Sequence, residues 1–334
     1  MSKEFLLVAD YRENFINSMS GTFNDHPKRE SIEEFRNAAI DCGYNCSIFG
    51  GVNEIIRAKN NNQKFTNAIF VNMSDGLYQK NARIQVPVCC ELLGVPYSGS
   101  DPFTVALVSN KHYCKMAVNS LGVFTPHGAL VIRNSVIMPD FNDFTFPMII
   151  KPNTEGSSVG IDSNSIVFCK EDAIKQIEYL FHFFEEVIVE EYIAGYEITN
   201  LLIGNNGSFC FNEVIITKMN QNIFYNREVL GINEKRNKTY INDYACNYIP
   251  ITFVNKISRI SENIFSGLNM HDIVRIDYRV TEKGDVFFLE ANSVPRISQS
   301  TQAGLICSHH GLTYSSFVGK YLETIEKRLI VNHE

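Results

Sequence analysis

No stretch of this chain stays apolar for the roughly 20 residues that a membrane-crossing helix needs. Its start, Met1-Ser2-Lys3-Glu4, leads into a strand-like apolar run and not into a signal peptide. Both absences predict no membrane association and, for a bacterial protein, a cytoplasmic location. The nine cysteines form no CxxC pair and no Cys/His spacing of a zinc site, and Cys89-Cys90 is the one close pair. Reduced structural thiols are therefore expected, not a disulfide framework. Positive charge is also short. Against 37 Asp and Glu stand 30 Lys and Arg, a net charge of −7, so nucleic acid is not an expected partner. The sequence has no internal repeat and no low-complexity linker.

What is present reads as a globular protein of two or three packed lobes, since 334 residues exceed one small core. The first ninety residues alternate strand and helix signals. Phe5 to Ala9 reads as a buried strand, and Ser31 to Cys42 as a helix with Ser31 and Glu34 at capping-box spacing and Gly43 as its stop. Cys46 to Phe49 and Ala68 to Val71 are further apolar runs. Such alternation predicts a doubly wound parallel sheet. After a turn at Pro96 to Gly99 come two helix-like stretches ending near Leu121. From Thr125 strands dominate, at 129–132, 148–151, 165–168, 187–192, 197–203, 208–216, 274–280 and 285–290, with helices at 171–181 and 312–329. The polar stretch 220–247 has weak periodicity and reads as a mobile loop. The expected class is α/β, passing to α+β in the C-terminal part, with divisions at 1–98, 99–186 and 187–334.

The densest chemistry lies between Arg275 and Asn292, two apolar-alternating strands joined by a polar turn ending at Gly284. On such a hairpin Asp277 can face the end of the second strand. Glu290 and Asn292 share a face there, because residues i and i+2 of a strand do. Two carboxylates and an amide oxygen are hard donors suited to Mg2+ that also meets nucleotide phosphates. The plain alternative is a sheet with solvated acids on its outer face, which the apolar run Val-Phe-Phe-Leu just before Glu290 weakens.

A second segment, Phe146 to Gly160, is a buried strand that delivers Lys151 and then a loop of small residues. Lys151 offers a point charge to phosphate oxygens, and Gly156, Ser157, Ser158 and Gly160 offer N–H and hydroxyl groups. It is no P-loop, because the lysine precedes the glycines; read alone, it is also compatible with a hairpin bearing a flexible tip. A third segment, Val187 to Glu197, is an apolar strand ending in Glu190, Glu191 and Gly195. Backbone groups here suit an adenine edge and a carboxylate suits ribose hydroxyls, although an exposed acidic turn is the simpler reading of this segment alone.

In this order the segments resemble the D-alanine–D-alanine ligase family of the ATP-grasp superfamily. The resemblance runs from about Asp75 to Tyr314 and includes Glu91-Leu-Leu-Gly-Val-Pro-Tyr-Ser-Gly-Ser100, Asn110-Lys111 and Gly122-Val-Phe-Thr-Pro126. The Lys151 loop, the Glu190 segment, the Arg275/Asp277 strand, Glu290-Ala-Asn292-Ser-Val-Pro295 and Ala303-Gly304 complete it. It implies an ATP-grasp fold with a substrate domain over 1–98, a lid subdomain over 99–186 and a subdomain over 187–334 carrying the metal and catalytic residues. It further implies an ATP-dependent carboxylate–amine ligase working through an acyl phosphate. Lys111 and Lys151 then hold ATP phosphates, Glu190, Glu191 and Ile193 frame the adenine, and Glu197 binds ribose. Glu191 stands where these ligases commonly have lysine, so its part is a backbone one. Asp277, Glu290 and Asn292 carry two Mg2+ ions, with Mn2+ as an alternative. Ser158 belongs to the closing loop, and Arg275 stabilises the transferring phosphoryl group. Small amino acids or peptides are the implied substrates, and a homodimer the implied assembly. The 220–247 stretch is the candidate lid, with Lys235 in reach of the phosphates.

Three departures concern the substrates. Arg296 replaces a glycine whose N–H helps form an oxyanion hole, and Thr301-Gln302 replaces a serine-leucine pair for the second substrate's carboxylate. The N-terminal region lacks a clear copy of the loop whose glutamate orients the first amino group. Glu30, Glu33 and Glu34 are the nearby acids, and a helix N-terminus alone accounts for them. These departures predict an unusual amino acid or a peptide terminus as substrate. Arg296 reads a carboxylate in that picture or is a solvated loop residue. The rivals are a D-alanine–D-alanine ligase of cell-wall synthesis, a bicarbonate-activating ATP-grasp enzyme and a non-catalytic nucleotide-binding protein. His127, His309 and His310 are expected to be ordinary surface or core residues.

Overall fold

Three β-sheets divide the chain, and a computed structural model describes residues 3–15, 26–77, 81–135, 138–219, 222–237 and 239–331. The first sheet is parallel, with β1 (Glu4–Val8) between β2 (Asn45–Gly50) and β3 (Ala68–Asn72). Alternate residues of β1 serve opposite cores, as the strand period requires. Phe5 and Leu7 pack with Ile32 and Phe35 of α1 (Arg29–Asp41), whereas Leu6 and Val8 pack with α2 (Val52–Asn60) and α3 (Gln85–Leu93). The sheet is thus covered on both faces, as the doubly wound reading anticipated.

Two short helices connect this lobe to the rest. Asp101 caps α4 (Pro102–Ser109) by accepting from Phe103 and Thr104 N–H, and Asn110 caps α5 (Lys111–Ser120) by accepting from Tyr113 N–H. The second sheet is antiparallel, in the order β4 (Gly128–Ile132), β7 (Glu186–Glu191), β5 (Met148–Pro152), β6 (Ile166–Val167), and α6 (Lys170–Leu180) packs against it. The third sheet holds β8 (Gly195–Asn205), β9 (Ser208–Met219), β10 (Phe224–Tyr225), β11 (Tyr240–Tyr244), β12 (Asp272–Val280) and β13 (Val286–Asn292). Its path is β11-β9-β8-β12-β13, with β10 on β8. One face is apolar: Ile198, Leu202, Val274, Ile276 and Tyr278 pack with Ile257, Ile264 and Phe265 of α8 (Ile251–Gly267). The short α7 (Ile232–Asn237) lies between β10 and β11, and α9 (Gln302–His310) and α10 (Tyr314–Val331) close the chain. Phe317, Val318 and Leu322 of α10 return to the core of the first lobe.

Three expectations change. The α1 helix begins at Arg29, with Lys28 at its N-cap and no side-chain cap bond, so Ser31 already lies inside the first turn and the Ser31/Glu34 capping box does not form. The stretch 220–247 is structured where described, and β11 pairs with β9 over five residues. An edge strand with one polar face gives only a weak apolar alternation, which is why its sequence reads as a loop. A division at 186/187 would also cut a sheet, because β7 is bonded to both β4 and β5. We propose that the boundary falls in the β7–β8 connection.

Candidate functional site

The polar face of the third sheet is the floor of a cavity of about 850 Å3, to which all three lobes contribute wall. Its chemistry follows from strand period and register. Arg275 and Asp277 share a face of β12, Glu290 and Asn292 share one of β13, and antiparallel pairing sets Arg275 opposite Asn292 and Asp277 opposite Glu290. The register slips at Asp277/Tyr278, leaving Leu289 as an extra residue beside the acids. Such bulges re-aim side chains near functional sites. All four residues line the cavity. Arg275 grips Asp277 with two bonds, Nε to Oδ1 at 3.1 Å and Nη2 to Oδ2 at 2.9 Å. Thr199 on β8 donates its hydroxyl to Asp277 Oδ1 at 2.9 Å. Farther along the same face, Arg279 pairs with Glu197 at 2.8 Å and lies over the rings of Tyr192 and Tyr225, so Glu197 is held rigidly at the cavity wall.

Among the described residues no cluster of three His, Cys, Asp or Glu gathers to hold a metal. The floor offers instead the carboxylates of Asp277 and Glu290 and the amide oxygen of Asn292, which already accepts from Val294 N–H at 2.9 Å. That donor set suits Mg2+, which takes few protein oxygens and completes its shell with water and phosphate. It includes none of the Cys or His ligands on which zinc sites are usually built.

Three lysines converge above the floor. Lys111, first residue of α5, places Nζ 3.2 Å from Glu290 Oε2 and donates to the Glu155 carbonyl. Burial alone would raise the Glu290 carboxyl, but Lys111, Arg275, Lys151 and Lys235 hold it well below the usual carboxylate range. Lys151 on β5 is buried 2.9 Å from Glu190 Oε2. Lys115, one helical turn after Lys111, binds the other oxygen of Glu190. Glu190 is itself 1% exposed. Burial works against its charge, yet the two ammonium groups lower its pKa to about 2. Burial also lowers Lys115 to about 8, with Glu190 offsetting part of the effect. The Glu190 carboxylate is thus spent on holding Lys115 and Lys151 in place. Lys115 was missed in the sequence, although its i+4 spacing from Lys111 puts both on one helix face.

The loop after Lys151 meets the 220–247 segment. Ser157 and Ser158 both have left-handed backbone, with φ of 49° and 60°. Ser157 lines the cavity, and Ser158 Oγ turns to donate to the Leu230 carbonyl at 2.7 Å. Ile232 N–H donates to Ile161 O at 3.1 Å, and Tyr192 donates its hydroxyl to Glu228 O at 2.6 Å. The segment is therefore docked as a cover. Its Lys235 lines the cavity, where burial, then Arg275, depress its pKa against the pull of Glu290 and Asp277. Of the residues read as adenine-framing, Glu191 has its N–H bonded to His127 O at 2.9 Å, and Ile193 lies half-buried in the connection between β7 and β8.

At the opposite end the cavity meets the parallel sheet where the strands β1 and β3 end. Arg12, Lys28, Asn72 and Asp75 line it there, with Arg296, Thr301 and Gln302 from the segment after β13. Arg296 is exposed at this wall. Glu30, Glu33 and Glu34 face elsewhere, a separate surface depression shared with Asp41 and Gln299. Of the histidines, His127 stacks on Phe144 and His309 on Tyr244, while His310 lies 2.8 Å from Glu213.

A family model described as "D-ala D-ala ligase C-terminus" matches residues 115–323. A D-alanine–D-alanine ligase of Aquifex aeolicus is 29% identical over 241 residues, covering 68% of this chain and 73% of that protein. An uncharacterized protein, y4sG, of Sinorhizobium fredii is 27% identical over 276 residues, covering 80% and 77%. Among solved structures, D-alanine–D-alanine ligase from Bacillus anthracis complexed with ATP superposes with a TM-score of 0.73 at 20% identity, covering 98% of each chain. The VanG D-Ala:D-Ser ligase from Enterococcus faecalis gives 0.69 at 18% identity, over 97% of this chain and 100% of that one. These superpositions establish a shared ATP-grasp fold.

Proposed function

Because this chain belongs to the D-Ala–D-Ala ligase family of ATP-grasp enzymes, which form carbon–nitrogen bonds with release of ADP, we propose that its cavity joins an unusual amino acid or a peptide terminus to an amine. One observation carries the reading: Lys111, Arg275, Asp277, Glu290 and Asn292, scattered over 180 residues of sequence, line a single cavity. In the first step a substrate carboxylate oxygen attacks the γ-phosphorus of ATP, the bond to the bridging oxygen breaks, and ADP leaves an acyl phosphate. In the second a neutral amine attacks the acyl carbon, and the tetrahedral adduct expels phosphate and loses a proton to give the amide.

The roles follow from charge and position. Lys111, Lys151 and the N–H groups around Ser157 hold the phosphates, and Arg275 with Lys235 offsets charge on the transferring group. Glu197, held by Arg279, receives the ribose hydroxyls, and the backbone near Ile193 meets the adenine edge. Mg2+, as one ion or two, would be held by Asp277, Glu290 and Asn292 and supply Lewis-acid neutralisation of the phosphate oxygens. The docked cover over Ser158 excludes water that would hydrolyse the acyl phosphate.

The names of the relatives favour a second reading, a genuine D-alanine–D-alanine ligase. Arg296, Thr301 and Gln302 in the wall, with Glu30, Glu33 and Glu34 outside it, favour the first. Pairs of amino acids and short peptides, screened for ADP release with the products weighed by mass spectrometry, separate the two. Product from pairs other than D-alanine with itself is expected. ADP release with D-alanine alone selects the second reading, and ADP release with no pair removes both.

A further inference from the structure

Two ammonium groups share one buried carboxylate. Lys115 of α5 binds one oxygen of Glu190 on β7, and Lys151 of β5 lies 2.9 Å from the other. All three side chains are buried. Asn153, the second residue after Lys151, sets the frame. Its carbonyl accepts from Lys111 N–H at 3.1 Å, and its side-chain oxygen accepts from His112 N–H at 2.9 Å. Its own N–H donates to Glu186 O at 3.1 Å. The first turn of α5 is thereby pinned to the end of β5 and the start of β7. Lys115, one turn beyond Lys111 on the same helix face, is carried to Glu190.

One cation is enough to satisfy a buried carboxylate, and a second is costly there unless another anion joins it. The three groups are nevertheless charged at neutral pH. Burial lowers Lys115 only to about 8, and against burial Glu190 keeps Lys151 above the usual lysine range. Glu290 and Glu197 also act on Lys151, but each has a cation of its own, Lys111 at 3.2 Å and Arg279 at 2.8 Å. The Lys115–Glu190–Lys151 group therefore carries one positive charge more than negative.

Lys151 stands where that surplus can be used. Glu290 and Glu197, which act on it, both line the cavity, and the loop leaving Lys151 brings Gly156 and Ser157 to the same wall. A phosphate that meets Lys151 must share it with Glu190. Were Lys151 alone, two anions would compete for one cation in a poorly screened place. With Lys115 on the other oxygen, Glu190 stays neutralised while Lys151 turns to the phosphate.

Building on the phosphate role given to Lys151 above, we propose that Lys115 is a positioning residue for ATP: it holds Glu190, without touching the nucleotide, so that Lys151 is free to meet a phosphate.

Binding to the full chain, measured by calorimetry with Mg-ATP and Mg-ADP, tests this apart from turnover. Lys115→Met keeps the length of the side chain and removes its charge. The variant should fold with a melting temperature no lower than that of the native chain, because a one-to-one buried pair remains. Its Kd for both nucleotides should nevertheless rise tenfold or more. Adding Glu190→Gln removes the competing carboxylate and should recover most of the lost affinity, although it lowers stability by leaving Lys151 unpaired. Affinity regained while stability falls is a combination that a merely structural role does not give. Unchanged affinity in Lys115→Met, or no recovery in the double variant, overturns the proposal. So does a Lys115→Met chain that fails to fold, since the ammonium is then a strut. A native chain that binds neither nucleotide removes the nucleotide reading and the proposal together, whereas equal binding by native chain and variant removes the proposal alone.

Discussion

Lys111 Nζ lies 3.2 Å from Glu290 Oε2, so the first residue of α5 and the one acid of β13, near that strand's C-terminal end, are joined across the cavity floor. Both side chains line the cavity that we propose receives the triphosphate. Their parts in catalysis should separate kinetically. On the proposed reading Lys111 holds phosphate, and Lys111→Gln is expected to raise KM for ATP roughly tenfold or more, one lost charge-assisted contact. On the same reading Glu290 would hold Mg2+, and Glu290→Gln should lower kcat by at least about a hundredfold, in keeping with the several kcal/mol a bound metal contributes. Steady-state kinetics with varied Mg-ATP checks the split. Equal losses in both parameters for both variants would show that the pair acts only as a structural strut.

The buried Lys115–Glu190–Lys151 group makes a stability prediction. Removing one member of a buried ion pair costs about 3–5 kcal/mol, because the partner's charge stays buried without compensation. Glu190→Gln leaves two such ammonium groups and should lower the urea midpoint markedly. Adding Lys115→Met to it should restore part of the loss, since one buried charge disappears with it. A double variant no more stable than Glu190→Gln would contradict this.

The same carboxylate sets an acid limb. Glu190 has its pKa lowered from the usual 4.5 to about 2 by its two lysines, despite burial. A group with a depressed folded pKa contributes stability that is complete above the unfolded value and is lost as pH falls through the folded one. The window here runs from 4.5 down to about 2. Denaturation midpoints measured from pH 7 to pH 3 should fall through the upper part of it in the native chain. In Glu190→Gln the fall should be shallower, with Glu290 and other carboxylates supplying what remains.

Much of this site was legible because strand period constrains it. The spacing of Arg275, Asp277, Glu290 and Asn292 fixes which side chains share a face, and the observed register places them as that spacing implies. Thr199 was not legible, since a lone threonine on β8 gains meaning only when β8 pairs with β12. The acids of α1 were legible in principle. Their i, i+3, i+4 spacing places them on one face, but only packing of α1 against the parallel sheet and α10 shows that this face looks away from the cavity. The cover was hidden because an edge strand and a six-residue helix bury too little to leave a clear apolar period.

That cover supplies the last prediction. Ser158 Oγ donates to the Leu230 carbonyl, so the phosphate loop and the cover are tied at a point beside Ser157 and the cavity. Deleting the hydroxyl in Ser158→Ala removes one hydrogen bond, about 1 kcal/mol, while Ile232 N–H still reaches Ile161 O. The fold should hold, with a melting temperature close to the native one, but the cover should open more often. On the proposed mechanism, opening admits water to the acyl phosphate, whose hydrolysis returns the carboxylate and phosphate, so the ADP formed in the first step is not matched by amide. The ratio of ADP formed to amide formed should then rise several-fold above one in Ser158→Ala and remain near one in the native chain. Coupled ADP assays run beside product quantification by mass spectrometry give that ratio directly. A ratio unchanged by Ser158→Ala, with kcat reduced, would instead place the hydroxyl on the substrate and not on the cover.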